Sequence, residues 1–427
     1  MVNVENIRND FPMLKKREKP LVYFDNAATT LKPYCVLDEI RKYYEEYTAN
    51  AHRGDYDLSY IVDTKYEGAR KVVADFINAN KNEVVFTSGT TESLNLVAYG
   101  WALEHLHEDD EILISELEHA SNVLPWYKIA KLTGAKVKFI KLINSRITLE
   151  EVKNAFSDKT KLVSVTQASN FLGYTCDIKS ICEFAHSKGA LVSVDAAQSA
   201  TFMRIDVKDL DCDFLSMSAH KLCGPTGVGA LYIKKSVMDV MGTFQTGGGM
   251  NISFDVNQNV EYKSGPSRFE AGTPKIEGAL GFAAAINYLM THNIEELHKR
   301  EIELKNYAMQ ELSKLDNIEI YNKDGDAAII SFNIKGVPAQ DGASYFNKYG
   351  IALRAGNHCA KLVTSSLKYP FALRCSLSFY NTKEEIDYFV SIARGGSDFL
   401  DAYFWWSNDD KTSYSWSLSI SKKQRFN

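Results

Sequence analysis

Residues 213–225 read Asp213-Phe214-Leu215-Ser216-Met217-Ser218-Ala219-His220-Lys221-Leu222-Cys223-Gly224-Pro225. The apolar run from Asp213 to Met217 has the make-up of a buried strand, and a Gly/Pro turn follows it. A lysine is usually a solvated surface charge. Lys221 instead stands where the strand should end, beside a serine and a histidine. An amine held there is placed to form a Schiff base with a carbonyl cofactor.

The same rhythm extends outward. Apolar runs at Val84–Thr87, Glu111–Ser115, Val137–Lys141, Leu162–Thr166, Leu191–Asp195, Phe214–Met217 and Ala230–Ile233 alternate with helical patterns. Among these patterns are Glu92–Leu106, Asn122–Thr133 and Ile178–Lys188. The alternation predicts an α/β fold with a mostly parallel seven-stranded sheet covered on both faces. Ligands of such sheets bind beyond the carboxyl ends of the strands.

After Gly247-Gly248-Gly249 comes an irregular stretch to Pro274, then a long helical pattern from Glu277 to Leu315. A smaller α+β unit is expected from strand Ala328–Asn333, helix Ala339–Tyr349, strands Ile351–Arg354 and Ala372–Ser376, and helix Lys383–Ala393. The expected division is an N-terminal segment, 1–20, packing with the small domain, then a large domain, 21–275. The small domain, 276–395, and a tail of different composition, 396–427, follow. Met1 to Lys16 reads as a short amphipathic helix rather than a signal peptide.

The net charge of -5 over 427 residues offers no electrostatic case for nucleic acid or anionic membranes. No apolar run is long enough to span a bilayer. The seven cysteines are odd in number and form no C-x-x-C pair. That argues against a disulfide framework or zinc knuckle and for a reduced cytoplasm.

Several candidate functional residues fall at strand ends. Ser88-Gly89-Thr90-Thr91-Glu92 joins a strand to a helix, where free N–H groups and the dipole favour an anion. The plainer reading is that Ser88 or Thr91 simply caps the helix. Asp195 ends its strand, with Gln198 three residues on. A pyridoxal ring needs an acid partner for its pyridine nitrogen. A capping role is the alternative for this aspartate. His119 is a candidate to stack on a flat cofactor or to move protons, although a lone histidine more often lies at the surface.

Arg354-Ala355-Gly356-Asn357-His358-Cys359-Ala360 is the second informative segment. Most cysteines are inert core residues. Cys359 sits in a polar loop beside His358 and near Arg354, and positive neighbours favour a nucleophilic thiolate. Arg374 is placed to clamp a substrate carboxylate, or to make a structural ion pair.

As an ordered set these residues resemble the group II (SufS-type) cysteine desulfurases of the class V aminotransferase family. The matching stretches are Tyr23 to Thr30, Ala51-His52-Arg53-Gly54, Gly89 to Glu92, Glu118-His119 to Trp126, and Ser169 to Gly173. They continue with Asp195 to Gln198, Ser218 to Leu222, Arg268 to Pro274, the Cys359 loop, and Arg374 to Asn381. The likeness spans about residues 1–395.

The resemblance implies a fold type I enzyme dependent on pyridoxal 5'-phosphate, acting as a homodimer. Lys221 would anchor the cofactor, Asp195 pair with its ring nitrogen, Gln198 with its hydroxyl, and His119 stack on the ring. Thr90, Thr91, Ser218 and His220 would hold the phosphate, with Thr273 reaching over from the other subunit. Asn170 and Arg374 would bind the substrate carboxylate, with Arg354, Ala28 and His52 on the substrate side. Lys221 would then act as base at Cα of L-cysteine, and Cys359 would take the sulfur as a persulfide for a small SUF-type acceptor in Fe–S cluster assembly. Two positions depart from the pattern. Asn357 stands where group II members usually carry a second histidine, and Ala219 replaces a common glycine. The rival readings are a selenocysteine lyase or another class V aminotransferase-like enzyme.

Overall fold

A computed structural model describes residues 4–15, 21–51, 54–367 and 371–398. His52 and the tail beyond residue 398 lie outside the described residues.

Among the described residues, seven strands form the main sheet. Their spatial order is Val84–Thr87, Gly229–Ile233, Phe214–Ser218, Leu191–Asp195, Thr160–Thr166, Glu111–Ser115 and Lys136–Ile140. Gly229–Ile233 runs antiparallel to both its neighbours, and the other pairings are parallel. All seven expected strands are present and share one sheet, which makes it mixed but mostly parallel.

The near-continuous apolar character of these strands follows from burial on both faces. Successive side chains point to opposite sides. Leu113, Val163, Val165, Val192, Val194, Leu215 and Met217 pack into one core with helix Ile178–Ser187. Ile112, Ile114, Leu162, Phe214, Leu231 and Ile233 pack into another, with helices Thr90–Val97 and Leu124–Thr133. The edge strand Lys136–Ile140 exposes Lys136 and Lys138, charges that discourage further strand pairing.

A four-stranded antiparallel sheet has the order Ile318–Ile320, Ile329–Ile334, Ala372–Ser376, Arg354–Gly356. Helices Ile294–Leu312, Ala339–Lys348 and Lys383–Arg394 cover it through a separate core. Near the N-terminus, Val22–Tyr23 pairs in parallel with Ile351–Ala352, and Asp25 bridges to Ser376. Val22–Tyr23 thus forms a small sheet of its own with Ile351–Ala352, and Asp25 touches the second sheet before the chain enters the first.

Four expectations are corrected in detail. The helical pattern Glu277–Leu315 is two helices, Ile276–Thr291 and Ile294–Leu312. They break at Asn293, whose φ is +58° and whose side chain accepts the Glu295 N–H at 3.2 Å. A left-handed asparagine ends one helix and caps the next. The expected strand Ile351–Arg354 is divided between two sheets, Ile351–Ala352 in one and Arg354–Gly356 in the other. The stretch before Pro274 contains a hairpin of Asn251–Phe254 and Val260–Tyr262. The N-terminal helix is two short turns, Val4–Asn9 and Pro12–Lys15, because proline starts a helix but cannot continue one. No helix among the described residues is long and apolar enough to cross a membrane.

Candidate active site

Six of the seven main-sheet strands point the same way, so their carboxyl ends meet along one edge of the sheet. The residues after Thr87, Ser115, Thr166, Asp195 and Ser218 therefore converge there. They line a cavity of about 190 Å³ together with the Cys359 loop.

Lys221 ends a short 3-10 turn, Ala219–Lys221, directly after its strand. Burial, more than its neighbours, lowers its amine to about 8; Asp195 opposes the shift, while Arg374 and Arg354 add to it. Asp195 is buried, and burial pushes its carboxyl up against the opposing effect of Lys221. Its Oδ1 accepts the Ala197 N–H at 2.9 Å, a cap-like bond. Its Oδ2 accepts no hydrogen bond among the described residues, in a cavity wall that contains Lys221. Gln198 Nε2 donates to Ala27 O at 2.8 Å, which sets its amide in the same wall.

The Gly89 turn has no side-chain cap. Neither Ser88 nor Thr91 fills that role, so the plainer reading of this turn does not hold. Instead Ser218 Oγ accepts the Thr90 N–H at 2.8 Å and donates to Thr90 Oγ1 at 2.9 Å. Thr91 and Ser121 hydroxyls meet at 2.8 Å. This close approach requires glycine at two places. A Cβ on Gly229 would stand 2.6 Å from Gly89 Cα, and one on Gly89, at φ +143°, would press on Ser218 Oγ at 3.1 Å.

His119 Nδ1 accepts the Ser121 N–H at 3.1 Å, which places its ring proton on Nε2. Burial, then the Lys221 and Arg374 charges, lowers His119 to about 4, so its ring is neutral. His220 is lowered to about 4 by burial, then by Lys221 and Lys32. Its carbonyl accepts bonds from Thr30 N–H at 3.0 Å and Lys32 Nζ at 2.9 Å, which tie the lysine turn to residues 29–32.

Arg374 is buried, and its NH1 donates to Asn170 O at 2.8 Å while NH2 meets Asp25 Oδ1 at 3.2 Å. Arg354 NH2 pairs with the other oxygen of Asp25, also at 3.2 Å. The structural ion pair anticipated for Arg374 is thus present, yet its Nε is buried without a partner among the described residues. Asn170 Nδ2 donates to His358 O at 2.7 Å, and among the described residues its Oδ1 is likewise unpartnered. Cys359 is exposed at the cavity wall.

The cavity brings together Ala28, Thr90, Thr91, His119, Asn170, Asp195, Gln198, Ser218, His220, Lys221, Arg354, Cys359 and Arg374. Thr273 is exposed and does not line it. His52 cannot be placed, being outside the described residues. Sequence reading assigned no role to Asp25, Ser121 or Glu118. Glu118 is buried beside His119, accepts bonds from Ser115 Oγ, Asn122 Nδ2 (2.6 Å) and Thr166 N (2.9 Å), and is raised by burial to about 8. An acid directly before a candidate histidine was the available signal.

The donor set fits pyridoxal 5'-phosphate. An amine with a lowered pKa, a buried acid with a free oxygen, a neutral imidazole and an uncapped helix start with hydroxyls share one cavity.

The sequence model described as aminotransferase class-V matches residues 22–389. A curated cysteine desulfurase from Haloferax volcanii is 41% identical over 408 residues, spanning 91% of this chain and 96% of that protein. The solved cysteine desulfurase CsdA from Escherichia coli superposes with a TM-score of 0.87 at 34% identity, covering 93% of this chain and 99% of that one. The apo cysteine desulfurase from Thermococcus onnurineus gives 0.88 at 36% identity, covering 92% and 98%. With its cavity, fold and sequence in agreement, the chain belongs to the class-V aminotransferase family of pyridoxal 5'-phosphate enzymes.

Proposed function

We propose that this chain is a cysteine desulfurase of the group II type. It converts L-cysteine to L-alanine and leaves the sulfur as a persulfide on Cys359. A small SUF-type acceptor protein then takes that sulfur for iron–sulfur cluster assembly. The observation that carries the reading is one cavity lined by Lys221, Asp195, Arg374 and an exposed Cys359.

When bound, the cofactor supplies an electron-withdrawing group conjugated to the substrate's Cα. Lys221 would anchor it through Nζ, Asp195 would keep its ring nitrogen protonated, and Gln198 would meet its hydroxyl. Thr90, Thr91, Ser218 and His220 would hold its phosphate at the helix start. His119, neutral and held by the Ser121 N–H, would lie against the ring.

Arg374 and Asn170 receive the substrate carboxylate, a role for which Arg374 retains its unpartnered Nε. Lys221 Nζ would accept the Cα proton of the substrate, a task suited to an amine lowered to about 8. Cys359 Sγ attacks the substrate sulfur, so an S–S bond forms as the Cβ–S bond breaks. The electron pair passes to the carbon fragment, which takes up protons and leaves as alanine. The balance is cysteine plus thiol giving alanine plus persulfide, with no outside oxidant.

The same reading has the chain act as a cytoplasmic homodimer, in which Thr273 serves the cavity of a second copy. It divides the chain into a cofactor-binding unit, 21–275, and a unit carrying the Cys359 loop, 276–395, against which the N-terminal segment packs. Arg8 NH1 bonded to Tyr380 O at 2.7 Å supports that packing.

Incubation with L-cysteine and reductant, with sulfide and alanine measured together, tests the proposal. Equal release of both, lost in Cys359→Ala, is expected. An absence of alanine would sink it.

A further inference from the structure

We infer that Asn357 is a positioning residue that fixes the backbone of Cys359 through its side-chain oxygen; the inference rests on Cys359 being the sulfur acceptor. Gly356 has φ +130°, and His358 and Cys359 follow at +53° and +56°. Left-handed backbone drives Cβ against the following carbonyl oxygen. Two such non-glycine residues in succession persist only where their surroundings over-determine them.

Most of those constraints are shared with the body of the protein. His358 O accepts Asn170 Nδ2 at 2.7 Å. The His358 ring donates from Nε2 to Ala372 O at 3.0 Å and stacks on Phe171 with centroids 5.4 Å apart. Cys359 O accepts the Ala120 N–H at 2.8 Å. The Cys359 N–H is left to the loop itself, and Asn357 Oδ1 accepts it at 3.1 Å.

That bond is a side-chain turn spanning two residues, which asparagine makes readily and aliphatic residues cannot. The direction of the Cys359 N–H sets the direction of its Cα–Cβ bond and hence of the thiol. Without the acceptor, water satisfies the exposed N–H and Cys359 relaxes toward negative φ, carrying Sγ off its line to the substrate. Asn357 does not line the cavity, so it acts on the reaction only through its neighbour.

The test compares Asn357→Ala, Asn357→Ser and Asn357→Asp holoenzymes with the parent and with Cys359→Ala. Turnover of L-cysteine is read at the alkaline plateau of the pH profile. On a plateau the rate no longer changes with pH, so a displacement of the profile along the pH axis does not enter the comparison. Loss of one hydrogen bond in Asn357→Ala should lower plateau kcat about five- to tenfold. KM should stay within about twofold, because the substrate-binding groups are untouched. Asn357→Asp keeps the acceptor and should return plateau kcat to the parent value, with Asn357→Ser between. A parental plateau kcat in Asn357→Ala, or an Asn357→Asp as slow as Asn357→Ala, would overturn the inference while leaving the proposed function standing. Full turnover in Cys359→Ala would overturn both.

Discussion

Arg354 and Arg374 sit directly opposite each other on neighbouring antiparallel strands. Like charges in that arrangement repel. The carboxylate of Asp25 reconciles them, one oxygen to each guanidinium at 3.2 Å. Asp25 reaches this point because Val22–Tyr23 pairs with Ile351–Ala352 and Asp25 itself bridges to Ser376 in the second sheet. Asp25→Asn should therefore destabilise the protein by about 1–3 kcal/mol. Adding Arg354→Gln should recover much of the loss, because the repulsion goes with it. Urea unfolding of the two single variants and the double variant measures this, and strictly additive effects would refute the coupling.

Lys221 and Asp195 are expected to separate by spectrum. Lys221→Ala should lose the visible absorbance of the anchored cofactor, at roughly 420 nm, together with turnover. Asp195→Asn should stay coloured but lose about a hundredfold or more in kcat, since an amide cannot hold the ring-nitrogen proton. A colourless Asp195→Asn would show that the acid serves binding rather than chemistry.

The cofactor-stripped protein should lose stability in mild acid through three histidines. Burial lowers His119 and His220 to about 4, with the Lys221 charge assisting, and lowers His358 to about 3, with Arg374 assisting. From the ordinary value of 6.5 downward the unfolded chain takes up protons that the folded chain refuses. Their contribution is thus complete above pH 6.5 and lost as the pH falls to about 4 for His119 and His220 and to about 3 for His358. Glu118, raised by burial to about 8, has the opposite sense: its contribution is present below 4.5 and lost as the pH rises through 8. His358→Gln should flatten the acid fall of the urea midpoint, and Glu118→Gln should remove the decline toward pH 8. Unchanged slopes in these variants would contradict the assignment.

Gly229→Ala should weaken cofactor binding from a distance. The new Cβ would overlap the Met217 carbonyl oxygen and crowd Gly89, forcing the uncapped helix start away from Ser218. Overpacking of this kind costs about 1–3 kcal/mol. Equilibrium dialysis against pyridoxal phosphate should show a raised Kd, and an unaltered Kd would mean that the turn adapts without moving its donors.

Sequence reading located the seven strands of the main sheet to within a residue or two at most ends, because strands buried on both faces are short, apolar and bounded by polar turns. It also placed Lys221, Asp195, His119 and the Gly89 turn at strand ends, where a parallel sheet gathers its ligands. It did not foresee the break at Asn293, where one left-handed residue interrupts an otherwise continuous helical period. It missed the division of residues 351–356 between two sheets, because the partner strand Val22–Tyr23 lies over three hundred positions away in the chain.

By itself, then, the sequence determined the class of fold, the sheet, and the kinds of group available at its edge, all properties of local pattern and side-chain chemistry. Only the tertiary structure decided which of those groups meet. It set Asp25 between two opposed arginines, left Arg374 Nε and Asn170 Oδ1 unpartnered among the described residues, and held Cys359 in a left-handed turn over the cavity. Those relations join residues far apart in the chain, and they come into being when long-range strand pairing and burial bring the residues together and remove water from between them.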